Sequence, residues 1–183
     1  MAPSETSPHD RTRTVSWDDP QITAAAAAEM SGLDFIRAMA SGEVSSPPIA
    51  RLMGFFVSEV SEGRVVFTVE PGEHHYNPIG AVHGGLACAL FDSAMGCAIH
   101  TTLPTGTGYT TLELKVNFLR PMTVKTGEVY CEGKTIHVGR TTATAEARLT
   151  NGGGKLFGHA TTTCMVFPGG RSISVGEGPS RQL

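Results

Sequence analysis

The sequence predicts an α+β domain in which an antiparallel sheet of six strands wraps one central helix. Two observations predict it. Residues Gly84 to Ile99 form a run that is apolar or small except for Asp92 and Ser93, and a helix apolar all round belongs in a core. On either side of that run the hydrophobic period changes to two: Leu52 to Val60 and Arg64 to Glu70 before it, then Tyr109 to Leu119, Gly127 to Val138, Arg140 to Thr150 and Lys155 to Phe167 after it. Ser61-Glu62-Gly63, Pro121, Gly139 and Asn151 to Gly154 supply the turns between them.

The chain of 183 residues, 40% hydrophobic with a net charge of −3, is long enough to bury one proper core. Residues 1–18, rich in Ser, Thr, Pro and charge and with no apolar stretch, read as a disordered tail and not a signal peptide. Residues 19–48 read as a helical extension. Asp19-Pro20 offers an N-cap and a first-turn proline for an alanine-rich helix. Ser31-Gly32-Leu33-Asp34 resembles a capping box for a second helix ending near Gly42, with Leu33, Ile36 and Met39 or Ala40 as the stripe that packs it on the domain. Ser45 to Pro48 reads as a linker, residues 49–168 as the main domain, and residues 169–183, rich in Gly, Pro and Ser, as a flexible tail.

Composition narrows the function. Lys and Arg total 14 against 17 acids without a basic cluster, which argues against nucleic acid. The central run is too short and carries a charge, which argues against a membrane span. Cys88, Cys97, Cys131 and Cys164 have neither CxxC pairing nor metal-ligand spacing, and they read as reduced core thiols of a cytoplasmic protein.

Asp92 is the anomaly, because a carboxylate in a core is costly unless paired or used. At 100° per residue it shares a face with Gly85, Cys88, Ala89, Met95, Gly96 and Ile99, whose small members leave room for another helix or an acyl chain, while Leu86, Leu90 and Cys97 point elsewhere, onto the sheet. At the helix start the first N–H groups lack internal partners and sit at the positive end of the dipole, suited to charge developing on an oxygen. Gly84-Gly85 there lets another molecule approach the backbone.

The run Asn77-Pro-x-Gly-x-x-His83-Gly84-Gly85 followed by Asp92 resembles the signature of hotdog-fold acyl-CoA thioesterases of the phenylacetate-pathway (PaaI-like) branch, from about Gly32 to Phe167. The resemblance implies hydrolysis of an acyl-CoA thioester to free acid and CoA, with no metal or organic cofactor required. It implies that the Gly84 N–H polarises the carbonyl, that Asp92 activates water or attacks directly, that Asn77 orients substrate or water, and that His83 shapes the carbonyl pocket. The family's hydroxyl at the start of the third strand aligns with Thr111, with Thr110 as its neighbour. Simple alternation puts Thr111 with Glu113, Lys115 and Asn117, so an inward Thr111 needs a twist or a bulge. Gly85 is a candidate substrate contact, and Arg140 is a candidate for a CoA phosphate or a solvated strand arginine.

If Gly84 and Asp92 act on one carbonyl, their spacing of about 12 Å along one helix is too long. Two antiparallel copies close it, so the expectation is a homodimer with composite sites, extending to a tetramer. Two other readings remain: a hydroxyacyl-CoA dehydratase or hydratase pairing His75 with Asp92, and a non-catalytic acyl-CoA-binding protein.

Overall fold

The computed structural model describes residues 11–168. The tail expected over 169–183 and the first ten residues of the expected N-terminal tail lie outside the described residues. From Arg11 to Asp19 the chain has no helix or strand, and the Arg13 guanidinium donates to the carbonyl of Leu52 at 2.6 Å.

Three helices precede the sheet: α1 (Pro20–Glu29), α2 (Gly32–Ser41) and α3 (Pro48–Met53). The caps are those the sequence offers. Asp19 accepts from Gln21 N–H, Ser31 accepts from Asp34 N–H, and Gly42 closes α2 in the left-handed conformation at φ 81°. The packed face of α2 differs from expectation: Phe35, Ile36 and Ala38 are buried, with Leu33 and Met39 only half-buried. Residues 52 and 53 also differ. They end α3 instead of opening a strand, because Pro48 at the first helical turn continues the chain as helix until Gly54.

The strands are β1 (Phe56–Ser61), β2 (Arg64–Val69), β3 (Thr107–Phe118), β4 (Val129–Val138), β5 (Thr142–Asn151) and β6 (Leu156–Pro168). They form one antiparallel sheet in the order β1-β2-β4-β5-β6-β3. The helix α4 (Gly84–His100) lies along its concave face. This is the α+β hotdog arrangement the sequence predicts.

The grip of the sheet on α4 is close. Leu90, Phe91, Ala94, Met95, Ala98 and Ile99 are fully buried. A side chain at Gly133 of β4 would come within 2.3 Å of the Ala94 carbonyl oxygen, so strand and helix backbones touch. The β3 strand is one of the two sheet edges: among the described residues it pairs with β6 on one side and with no strand on the other.

Candidate active site

The site begins in the loop that feeds α4. Asn77 Oδ1 accepts from the N–H groups of Ile79, 3.0 Å, and Ala81, 3.1 Å, while Asn77 N–H donates to the Ala81 carbonyl at 2.7 Å. The side chain thus folds its own loop. His83 N–H is in turn held by the His75 carbonyl at 2.7 Å.

His83 is the N-cap of α4, and its Nδ1 accepts from Gly85 N–H at 2.8 Å. Accepting there leaves the neutral ring's proton on Nε2, a donor on the exposed side. Leu86 N–H returns to the His83 carbonyl at 3.1 Å. Gly85 and Leu86 are therefore occupied, whereas Gly84 N–H has no partner among the described residues. Phe118 lies over Gly84, where a Cβ would meet its ring at 3.1 Å.

Asp92 lies about 12 Å further along the helix axis. Its environment corrects the sequence reading: in the single chain it is exposed, not sunk in a core. Met95, Gly96 and Ile99, placed with it on one face by helical spacing, are buried, so the open stripe narrows to Gly85, Cys88, Ala89, Asp92 and Ser93. Cys97, expected on the sheet, lines a cavity together with Asp92. Asp92 makes no ion pair among the described residues.

Its partner comes from β3. Thr111 Oγ1 donates to Asp92 Oδ1 at 2.8 Å. The irregularity that an inward Thr111 requires is present: pairing with β6 shifts between Thr111 and Glu113, leaving Leu112 as the extra, exposed residue. Before the bulge Tyr109 and Thr111 face the helix. Beyond it Leu114 and Val116 take over that side, with Glu113, Lys115 and Asn117 outward.

Tyr109 completes the surroundings and was not singled out by the sequence, although it stands two residues before Thr111 on the same face. Gly96 makes room for it, since a Cβ there would lie 2.8 Å from the Tyr109 hydroxyl. Burial, followed by the nearby Cys97, pushes the Tyr109 hydroxyl well above its ordinary value, and burial with the charge of Asp92 pushes the Cys97 thiol up to about 12. Both are neutral at physiological pH. Arg140 is exposed on the β4–β5 turn. Ala143 pairs with Cys164, which pairs with Thr111, so Ala143 lies roughly 10 Å from Thr111 at about 4.8 Å per strand, and Arg140 stands three residues before it in the turn at that end of the sheet. Among the described residues no three His, Cys, Asp or Glu side chains converge as a metal site requires.

A family model described as the thioesterase superfamily matches residues 79–157. "Putative esterase SSO2140" of Saccharolobus solfataricus is 31% identical over 108 residues, 59% of this chain and 75% of that protein. The chain belongs to the thioesterase superfamily. Two solved structures of similar shape sharpen the likeness. One, from Ralstonia eutropha, is titled a putative thioesterase and phenylacetic acid degradation-related protein; it is 29% identical, covers 71% of this chain and 98% of that one, and has a TM-score of 0.64. The other, smu.793 from Streptococcus mutans, was solved bound to acetyl CoA; it is 27% identical over 64% of this chain and 91% of that one, at a TM-score of 0.57. Membership makes the protein a thioesterase-type hydrolase. No helix among its described residues is long and apolar enough to cross a membrane.

Proposed function

We propose that this thioesterase-superfamily member hydrolyses acyl-CoA to free acid and CoA as a cytoplasmic homodimer. The observation that carries the reading is the Thr111–Asp92 hydrogen bond, which orients a solvent-facing carboxylate that has no cationic partner among the described residues, on the same helix whose Gly84 N–H is unpartnered among them. With Oδ1 held by Thr111, Oδ2 is free to draw a proton from water as its oxygen attacks the thioester carbon, or to attack that carbon itself. Negative charge on the carbonyl oxygen is met by Gly84 N–H and the positive end of α4, with the His83 Nε2 proton alongside. Collapse breaks the C–S bond and expels CoA as thiolate, which takes up the proton drawn from water; on the direct route, water then hydrolyses the Asp92–acyl anhydride, releasing the acid and restoring the carboxylate.

One chain cannot bring Gly84 and Asp92 onto the same carbonyl across about 12 Å. Two features support a second copy: the open edge of β3, which offers a row of unpaired N–H and C=O groups, and the stripe Gly85, Cys88, Ala89, Asp92 and Ser93, small enough for helices to approach. Pairing two β3 edges about a two-fold axis sets the α4 helices antiparallel and joins each Asp92 to the partner's helix start. Such dimers can pair further into a tetramer. Asn77 shapes the loop and keeps its amide group for substrate or water, Gly85 admits the substrate beside the helix start, and Arg140 suits a CoA phosphate.

The hydratase reading needs a free His75. Its Nδ1 accepts from Gly72 N–H at 3.0 Å and its Nε2 lies 2.9 Å from the Met53 carbonyl, so both ring nitrogens serve the fold. Incubation with an acyl-CoA panel and a thiol reagent decides among the readings. Free CoA released in many turnovers is expected. Loss of enone absorbance from an enoyl-CoA without thiol release would replace the proposal with a hydratase, and saturable binding with neither change would replace it with a binding protein.

A further inference from the structure

Beside Asp92 lies a cavity of about 170 Å³, lined by side chains of two chemical kinds. Asp92, Ser93, Tyr109 and Thr111 give it polar lining, while Met39, Pro47, Ala50, Phe55 and Phe67 give it apolar lining. Among the described residues that line it, Asp92 is the one charged group. Met39 comes from α2, Pro47 from the segment before α3 and Ala50 from α3 itself, all before residue 79 and so outside the stretch that matches the superfamily.

This wall is fixed to the domain. At the start of α2 a Cβ on Gly32 would lie 1.7 Å from the His100 carbonyl oxygen, so α2 sits directly on the end of α4, and Ile36 one turn later is fully buried. Met39 follows on the same helix, half-buried, with an unbranched side chain that can fill space without holding the core together.

We propose that α2 and α3 close an acyl chamber and thereby set the length of acyl group this enzyme accepts. The inference rests on the acyl-CoA reading above. A thioester carbonyl held beside Asp92 and Thr111 sends its acyl tail along the apolar lining that includes Met39 and Phe55. A cavity of roughly 150 Å³ holds one benzene-sized molecule, so the chamber takes an apolar tail of about six carbons, as a ring or short chain. Longer tails meet the Met39 wall, and charged tails find no partner along the apolar lining.

The test compares butanoyl-, hexanoyl-, decanoyl- and dodecanoyl-CoA as substrates, and hexyl-CoA and dodecyl-CoA thioethers as non-hydrolysable probes by titration calorimetry. In the wild type, kcat/KM for hexanoyl-CoA should exceed that for dodecanoyl-CoA at least about tenfold, the scale on which a pocket rejects extra methylenes. Met39→Ala should shrink that ratio several-fold through KM and tighten dodecyl-CoA binding. Met39→Leu should keep the wild-type ratio, as should Arg37→Ala on the exposed side of α2. Hydrolysis with a profile indifferent to Met39→Ala overturns the chamber and leaves the hydrolase reading standing. Thioether binding that depends on Met39 in a protein that hydrolyses none of the four substrates upholds the chamber and overturns the hydrolase reading. Hexyl-CoA bound no more tightly than dodecyl-CoA overturns the chamber outright.

Discussion

The two sides of α4 are built on opposite rules. Toward the sheet, Leu90, Phe91, Ala94, Met95 and Ala98 are fully buried and Gly133 brings β4 against the helix backbone. Away from it, Cys88 and Ala89 are half-open and Asp92 is exposed, beside a strand with one edge unpaired among the described residues. The first side is finished within one chain. The second has the composition of a core and the exposure of a surface, as the proposed pairing with a second copy requires. Stability should therefore follow the sheet side, and turnover the open side.

The largest effect is expected where the packed side is emptied. Phe91→Ala should cost about 3–5 kcal/mol of folding free energy, read as a lowered urea midpoint. A loss below about 1 kcal/mol would mean that this side is not the core the burial indicates. On the open side, Asp92→Asn should lower kcat by at least about 10²-fold, the lower end of what loss of a general base costs, with the urea midpoint close to wild type because the residue is exposed. Near-normal turnover would remove Asp92 from the chemistry. Thr111→Val should lower kcat by about tenfold, since a hydrogen bond to a charged group contributes roughly 1.5–3 kcal/mol, and Thr111→Ser should restore most of it.

A smaller, pH-dependent contrast belongs to the packed side. Burial lowers the pKa of His100, and burial, partly offset by the Met53 carbonyl, lowers that of His75. Both rings accept protons more readily unfolded, near about 6.5, than folded. Their contribution is complete above that value and is lost as pH falls through the folded values, so the urea midpoint should drop between pH 7 and pH 5. His100→Phe, which keeps a ring against Phe35 and Tyr109, should flatten that drop. An unchanged slope would remove His100 as a cause.

Much of this was legible in the sequence because it rests on local signals. The Asp19 and Ser31 caps, the Gly42 stop and the six strands follow from turn chemistry and period. What escaped depends on tertiary contact. Residues 52 and 53 carry a strand-like pattern but finish the turn that Pro48 starts. Tyr109 gains its place only from the room at Gly96. The Leu112 bulge could be required by argument, yet alternation alone could not locate it. The sequence predicts a buried Asp92 because apolar neighbours imply burial within one chain. The structure separates the two: Met95, Gly96 and Ile99 are buried, while Cys88 and Ala89 are half-open and Asp92 is exposed.

The composite site is the central claim, and mixing two inactive variants tests it most directly. Gly84→Pro removes the one N–H at issue at a helix position where proline is favoured, and the extended His83 before it, at φ −63° and ψ 135°, is compatible with proline. Asp92→Asn removes the carboxylate. Each homodimer should be nearly inactive. After subunit exchange, a heterodimer carries both lesions in one site and neither in the other, so activity should return toward half the wild-type value per heterodimer. If each chain held a whole site, every site would keep one lesion. Proven exchange without recovered thioesterase activity would contradict the two-chain site.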